Sequence, residues 1–269
     1  MIKRLQFVSR GGGRMRRPYI GITDFATAEQ TQKMLNVFAA NRAPDSKRLL
    51  MVGVMMSYKT LNGIPTKWAA VWPRKQAVGD IFIQHSLALN TLHYADYESI
   101  DVLRSLRRAA NWGYPRMDAL QLDMIWPKPT DISVLRWINP EVMVIIQANS
   151  EALDIIDNDP QKLVEKLKEY GDAVDYVLLD KSMGRGLGMD AEGLRPYLCA
   201  VRDSGLDIGL AVAGGLGPDT LRLVEPLIAE FPDLSIDAQS KLRPSGNAMD
   251  PIDWGMAEEY LKKSLKMLK

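Results

Sequence analysis

Val174-Asp175-Tyr176-Val177-Leu178-Leu179-Asp180 is an apolar run closed by a carboxylate, and the design returns as Ile208-Gly209-Leu210-Ala211-Val212-Ala213 followed by Gly214-Gly215. Between the two, Ala191 to Ser204 is amphipathic at helical spacing. Runs so rich in Val, Ile and Leu, with little polar alternation, fit strands buried on both faces of a parallel sheet. Outward from this unit the theme repeats as Tyr19 to Thr23, Leu49 to Met56, Leu87 to Tyr94, Ala119 to Met124, Val142 to Gln147 and Leu234 to Ala238, eight runs in all. Thr27 to Ala40, Ser99 to Trp112, Pro160 to Tyr170, Asp219 to Glu230 and Met256 to Leu268 are predicted helices, and Ile132 to Ile138 is a short one. Eight strand–helix alternations in about 250 residues predict an α/β fold, a (β/α)8 TIM barrel. A doubly wound open sheet is the competitor, but no composition break marks a second domain. Residues 18–269 are therefore read as one barrel, and residues 1–17 as a basic N-terminal extension.

Composition narrows the function classes. With 34 Lys+Arg against 33 Asp+Glu, a net charge of +1, 46% hydrophobic and 25% charged residues, the chain is an ordinary globular one. The balance removes bulk attraction to nucleic acid. The single cysteine, Cys199, can form neither an internal disulfide nor a cysteine zinc site, and is expected to pack as a small apolar residue. No run approaches ~18 apolar residues, so no membrane helix is expected. The first residues contain no apolar export core, which points to the cytoplasm. The extension carries Lys3, Arg4, Arg10, Arg14, Arg16 and Arg17 around Gly11-Gly12-Gly13. It reads as a flexible basic head, as a short strand at Leu5 to Val8, or as a phosphate-touching arm.

Barrel enzymes place their chemistry at the C-terminal ends of the strands. After the seventh strand, Gly214 and Gly215 allow close backbone approach to an anion, and Pro218-Asp219 suits a helix start. After the eighth come Ser240, Lys241 and Arg243. Gly214, Gly215, Ser240 and Lys241 are the candidate phosphate site. Asp180 ends the sixth strand before a glycine-rich loop, 184–188, and serves either as a general acid/base or as a salt-bridge partner. Asp24 and Asp123 are its candidate partner carboxylates; Asp24 is equally a helix cap, and Asp123 has no second carboxylate spaced for a metal. Lys59, Gln121, Arg185 and Gly186 are assigned to substrate. Gln147 is another rim residue, and His93 reads as a packed, hydrogen-bonded side chain. Lys181 or Lys241 as a Schiff-base nucleophile is less favoured. The long connection 57–80 holds Trp68 and Trp72, either a packed lid or a wall for a planar ligand ring. No metal or cofactor motif is read.

These motifs resemble phosphoribosylanthranilate isomerase and the phosphate-binding barrels around it. Gly21-Ile22-Thr23 resembles the end of that family's Lys-x-Cys-Gly-x-Thr strand, and Val52-Gly53-Val54 its second strand. Ala119-Leu120-Gln121-Leu122 is similar to its Val-Gln-Leu-His strand, and Leu178-Leu179-Asp180 with Gly184, Gly186 and Asp190 to its Leu-Leu-Asp strand and glycine loop. Ala213-Gly214-Gly215-Leu216 is similar to its Gly-Gly-Leu turn, and Ile236-Asp237 with Ser240 to its Val-Asp-Val-Ser-Ser strand. The resemblance spans roughly residues 18 to 265 and implies a barrel acting on a sugar phosphate, with Asp180 as the acid that opens the ring. The chain departs from the pattern where the family's catalytic cysteine is matched by Ile20, its lysine by Pro18 and its fourth-strand histidine by Asp123. In the last motif Gln239, Lys241 and Arg243 replace serine, glycine and glutamate. The expected function is an isomerase or lyase on a small phosphorylated metabolite, with a non-catalytic phospho-ligand barrel as the alternative. A homodimer is admissible, and nucleic acid is disfavoured because the basic head lacks interleaved aromatics.

Overall fold

Side chains alternate across each strand, and that alternation builds the site. The computed structural model describes residues 16–180 and 188–268. Eight parallel strands close into a barrel in sequence order: β1 (Tyr19–Thr23), β2 (Leu49–Ser57), β3 (Ala88–Ala95), β4 (Ala119–Asp123), β5 (Met143–Asn149), β6 (Tyr176–Asp180), β7 (Gly209–Ala213) and β8 (Ser235–Ala238). Ten α-helices lie among the described residues: α1 (Ala28–Asn41), α2 (Tyr58–Asn62), α3 (Val78–Ile81), α4 (Val102–Gly113), α5 (Pro129–Ile138), α6 (Ser150–Ile155), α7 (Pro160–Lys168), α8 (Ala191–Asp203), α9 (Glu225–Ile228) and α10 (Trp254–Met267).

The lower barrel interior is apolar, a cluster that includes Tyr19, Met51, Leu89, Ala119, Ile145, Tyr176, Leu178 and Ala211. The alternate strand residues, such as Ile20, Ile22, Val52, Leu120 and Val177, belong to the larger core formed with the helices. Ile20, the position matching the resembled cysteine, thus packs in the layer between strands and helices. Toward the C-terminal ends the inward residues turn polar: Thr23, His93, Gln121, Asp123, Gln147, Asn149, Asp180 and Asp237. A dry layer below and a polar layer above is what makes the barrel a floor for chemistry.

The predicted helix from Asp219 to Glu230 is instead a 3-10 turn, Leu221–Val224, followed by the short α9. Pro226 supplies no N–H and crowds the carbonyl four residues back, so a continuous α-helix is blocked there. Residues 1–15 of the basic extension, and 181–187 with Arg185 and Gly186, lie outside the described residues. Arg17 is described, and its Nε and Nη1 donate to the carbonyls of Lys47 (2.6 Å) and Ser86 (3.1 Å). No described helix is long and apolar enough to cross a membrane. Cys199 is half-buried on α8 and packs against the core as expected, and its Sγ also donates to Glu230 at 3.3 Å.

Arg48 is a polar clip at the N-terminal end of the barrel. Its Nε, Nη1 and Nη2 donate to the carbonyls of Leu268 (3.0 Å), Leu234 (2.7 Å) and Pro232 (2.6 Å), tying β2 to the approach to β8 and to the chain after α10. Burial lowers its pKa to about 10. Arg48→Ala frees three acceptors, and hydrogen bonds to a charged donor are each worth about 1.5–3 kcal/mol. With partial rescue by water, a loss of about 2–3 kcal/mol is expected, read as a lower urea midpoint.

Candidate active site

A cavity of about 840 Å³ opens over the C-terminal ends of the strands. It gathers Asp123, Asp180, Gln121, Lys59, Gly214, Gly215 and Ser240 from the sequence-predicted set. Asp24 and Lys241 are not among the residues that line it. The strand phase explains Asp24: Thr23 is the last inward position of β1, and Asp24 leaves with φ 90°, a backbone region aspartate rarely adopts. Its Oδ2 accepts from Arg243 Nη2 at 2.5 Å and from Gln239 Nε2 at 3.1 Å, a buried ion pair joining the ends of β1 and β8. Arg243 also donates to the carbonyls of Asp250 and Gln239, which makes it a brace for the rim. Lys241 sits in the 3-10 turn Ser240–Leu242, where successive side chains point about 120° apart. Ser240 faces the cavity, while the Lys241 backbone packs against Gly217, where an added Cβ would lie 2.6 Å from its carbonyl oxygen.

Gly214 and Gly215 have φ of 113° and 64°, so the turn after β7 uses conformations natural to glycine. They lie on one wall with Ser240 and Ala213. Trp68 and Trp72 line another, stacked at 4.6 Å and 5°, with Lys67 Nζ 5.1 Å from the Trp68 ring. The two rings thus pack on each other and also face the cavity. Lys59 pairs with Glu98 at 3.1 Å.

The floor holds His93, a rim residue read from the sequence as packed and hydrogen-bonded, and Asp237, which the sequence placed in a motif without a role. His93 projects from β3, 7% exposed, with Nδ1 3.2 Å from the Gln121 amide nitrogen and Nε2 3.8 Å from Asp123 Oδ2. Burial disfavours its charge, but the nearby Asp123 carboxylate, then Asp237 and Asp24, outweigh it and raise the pKa. Burial would raise the Asp123 pKa, yet His93, Tyr97 and Asn149 together hold it below the usual range. Tyr97 donates to Asp123 Oδ1 at 2.5 Å and accepts from Asn149 at 3.0 Å. Asp237, 5% exposed, lies with both carboxyl oxygens 3.1 Å from Thr23 Oγ1. Burial, with the charge of Asp180 adding to it, pushes its pKa up to about 6 against the lowering influence of His93, Thr23 and Gln121. One carboxyl poised near neutrality, close to an Asp123 carboxyl held below the usual range, is an arrangement suited to proton transfer. Among the described residues, no group of three or more His, Cys, Asp or Glu is placed to hold a metal ion.

No family model matches the chain, and no curated protein is significantly similar to it in sequence. Solved structures do share its fold. The phosphoribosyl anthranilate isomerase from Thermus thermophilus superposes with a TM-score of 0.59 at 16% identity, covering 93% of this chain and 100% of that one. The N-(5'-phosphoribosyl)anthranilate isomerase from Pyrococcus furiosus gives 0.55 at 17% identity, covering 93% and 99%. The whole barrel is therefore shared with these isomerases at low identity.

Proposed function

We propose that the barrel is an enzyme for a small phosphorylated metabolite, an isomerase or lyase on a sugar-phosphate-like substrate with Asp180 as general acid/base. One observation carries the reading: a single cavity brings the Gly214-Gly215 turn and Ser240 together with Asp180. The glycine backbone and the Ser240 hydroxyl suit a phosphate, in the position where this fold commonly binds one. The volume falls within the range for small-metabolite sites, roughly 300–1,000 Å³. The isomerase chemistry of the two structural neighbours is consistent with this reading, and fold alone does not fix function.

The anion end is tested by thermal denaturation with ribose 5-phosphate. A ligand at a hundredfold excess over its dissociation constant stabilises the native state by about 2.7 kcal/mol, a rise of a few degrees for a domain of this size. Ser240→Ala should reduce the shift. An unchanged melting temperature with both ribose 5-phosphate and inorganic phosphate would remove the phosphate assignment.

A further inference from the structure

We propose that Asp237 and His93 form the proton-transfer pair that faces the ligand's carbon skeleton, and that the substrate is an open-chain hydroxy-carbonyl phosphate. The proposal rests on the phosphate-anchored reading above and adds the reacting end.

Geometry carries it. Both side chains line the cavity at its floor, from β8 and from β3. Asp237 opposes Gly21 in the β1–β8 register, and a Cβ at Gly21 would stand 2.6 Å from Asp237 Oδ1. The bare position on β1 is therefore the space the carboxyl occupies, and Thr23 holds it there. On the other side, Gln121 Nε2 contacts His93 Nδ1 at 3.2 Å and Gln147 Oε1 at 3.3 Å. Gln147 Oε1 can only accept, which turns the Gln121 amide nitrogen toward His93; in the neutral ring Nδ1 then accepts and the ring proton sits on Nε2. That Nε2 is buried with no hydrogen-bond partner, and Asp123 at 3.8 Å is near enough to favour its charge but too far to take its proton in a normal hydrogen bond. A buried donor without an acceptor calls for an explanation, and at the floor of a cavity a ligand oxygen supplies one. Tyr97 donates to Asp123 and Asn149 donates to Tyr97, so the carboxylate nearest that donor is held in place.

The chemistry closes without any further reactant. The Asp237 carboxylate removes the proton from the carbon beside the carbonyl. The C–H electron pair becomes a C=C bond, the carbonyl π pair moves onto oxygen, and His93 Nε2 gives that oxygen its proton. The enediol then reverts in the other sense: His93 takes a proton from the neighbouring hydroxyl as it becomes the new carbonyl. Asp237 returns its proton to the former carbonyl carbon, and both groups regain their starting state. A carboxyl base and an imidazole acid lining one cavity can both reach a ligand held there, as general acid–base catalysis requires.

Ribulose 5-phosphate tests the pair, because it is a ketone that needs no ring opening. Deuterium wash-in from D2O beside its carbonyl is followed by proton NMR, with melting temperatures in parallel. Wild type should exchange, and the near-isosteric Asp237→Asn and His93→Gln should each slow exchange at least about 100-fold while their folds melt cooperatively. The chain has only two histidines, so the His93 ring signal is readily assigned. It should move with ribulose 5-phosphate and not with inorganic phosphate. A thermal shift with ribulose 5-phosphate but no exchange by wild type, or exchange at the wild-type rate in Asp237→Asn, overturns the pair and leaves the phosphate reading standing. No thermal shift with either compound overturns both.

Discussion

Asp175→Ala is expected to lower stability by about 3–5 kcal/mol, the cost of removing one partner from a buried ion pair. Asp175 stands just before β6 with its side chain 1% exposed. Its Oδ2 and Oδ1 accept from Arg136 Nη1 and Nη2 at 2.8 and 2.9 Å, a two-pronged pair, and Oδ2 also accepts the Val144 N–H at 2.8 Å. One carboxylate thus joins α5, β5 and β6. Removing it leaves a half-buried guanidinium with the Val142 carbonyl as its remaining described partner, and a buried strand N–H with none. Asp175→Asn keeps one acceptor and should cost less. The measurement is the urea midpoint of each variant, with the slope unchanged if the unfolded state is unaffected. A loss under 1 kcal/mol for Asp175→Ala would show that water replaces these bonds.

The same device recurs around the barrel. Asp118 accepts the Asn90 N–H at 2.8 Å, and Ser235 Oγ accepts the Tyr19 N–H at 3.0 Å. Side chains at the starts of β4, β6 and β8 therefore take up N–H groups of β3, β5 and β1. Such groups cannot be left unpaired in a dry layer. These residues hold the lower end rigid while the upper end carries chemistry, a division that this fold commonly shows.

The barrel was legible because eight near-continuous apolar runs leave few alternatives, and the strand ends shift by only one or two residues. Asn149 escaped notice as the cap of α6, where it accepts the Ala152 N–H at 2.9 Å. The site was less legible because a motif identifies a residue type and not the face it occupies. Asp180 and Asp123 share the inward phase of their strands, whereas Asp24 falls one residue beyond Thr23 and turns to Arg243. Asp237 lies two residues from inward-facing Ser235, and counting by twos along β8 places it on the cavity side. The Gln121 and His93 contact was beyond reach, since it depends on the register between β3 and β4. Register is set by the closed barrel as a whole and is not written in either strand.

Asp180→Asn is expected to reduce catalysed ring opening by about 10²–10⁴-fold, which is about 2.7–5.5 kcal/mol in the barrier. The side chain ends β6, lines the cavity beside the floor, and lies close enough to Asp237 for its charge to raise that carboxyl's pKa. Opening a furanose ring requires a proton on the ring oxygen as the bond to carbon breaks, and an amide of the same shape cannot supply it. Anomer exchange of ribose 5-phosphate isolates this step, because the α and β forms interconvert only through the open chain. Saturation transfer between their NMR signals gives the rate with and without enzyme. Wild type should accelerate the exchange, and Asp180→Asn should return it close to the uncatalysed rate. If the variant also lost the thermal shift with ribose 5-phosphate, Asp180 would belong to binding rather than proton transfer. If wild type showed the thermal shift but no acceleration, the chain would be the alternative read from its sequence, a barrel that holds a phosphorylated ligand without converting it. Acceleration that persisted in Asp180→Asn would move the ring-opening acid elsewhere on the polar layer, to Asp123 or to the His93–Asp237 floor.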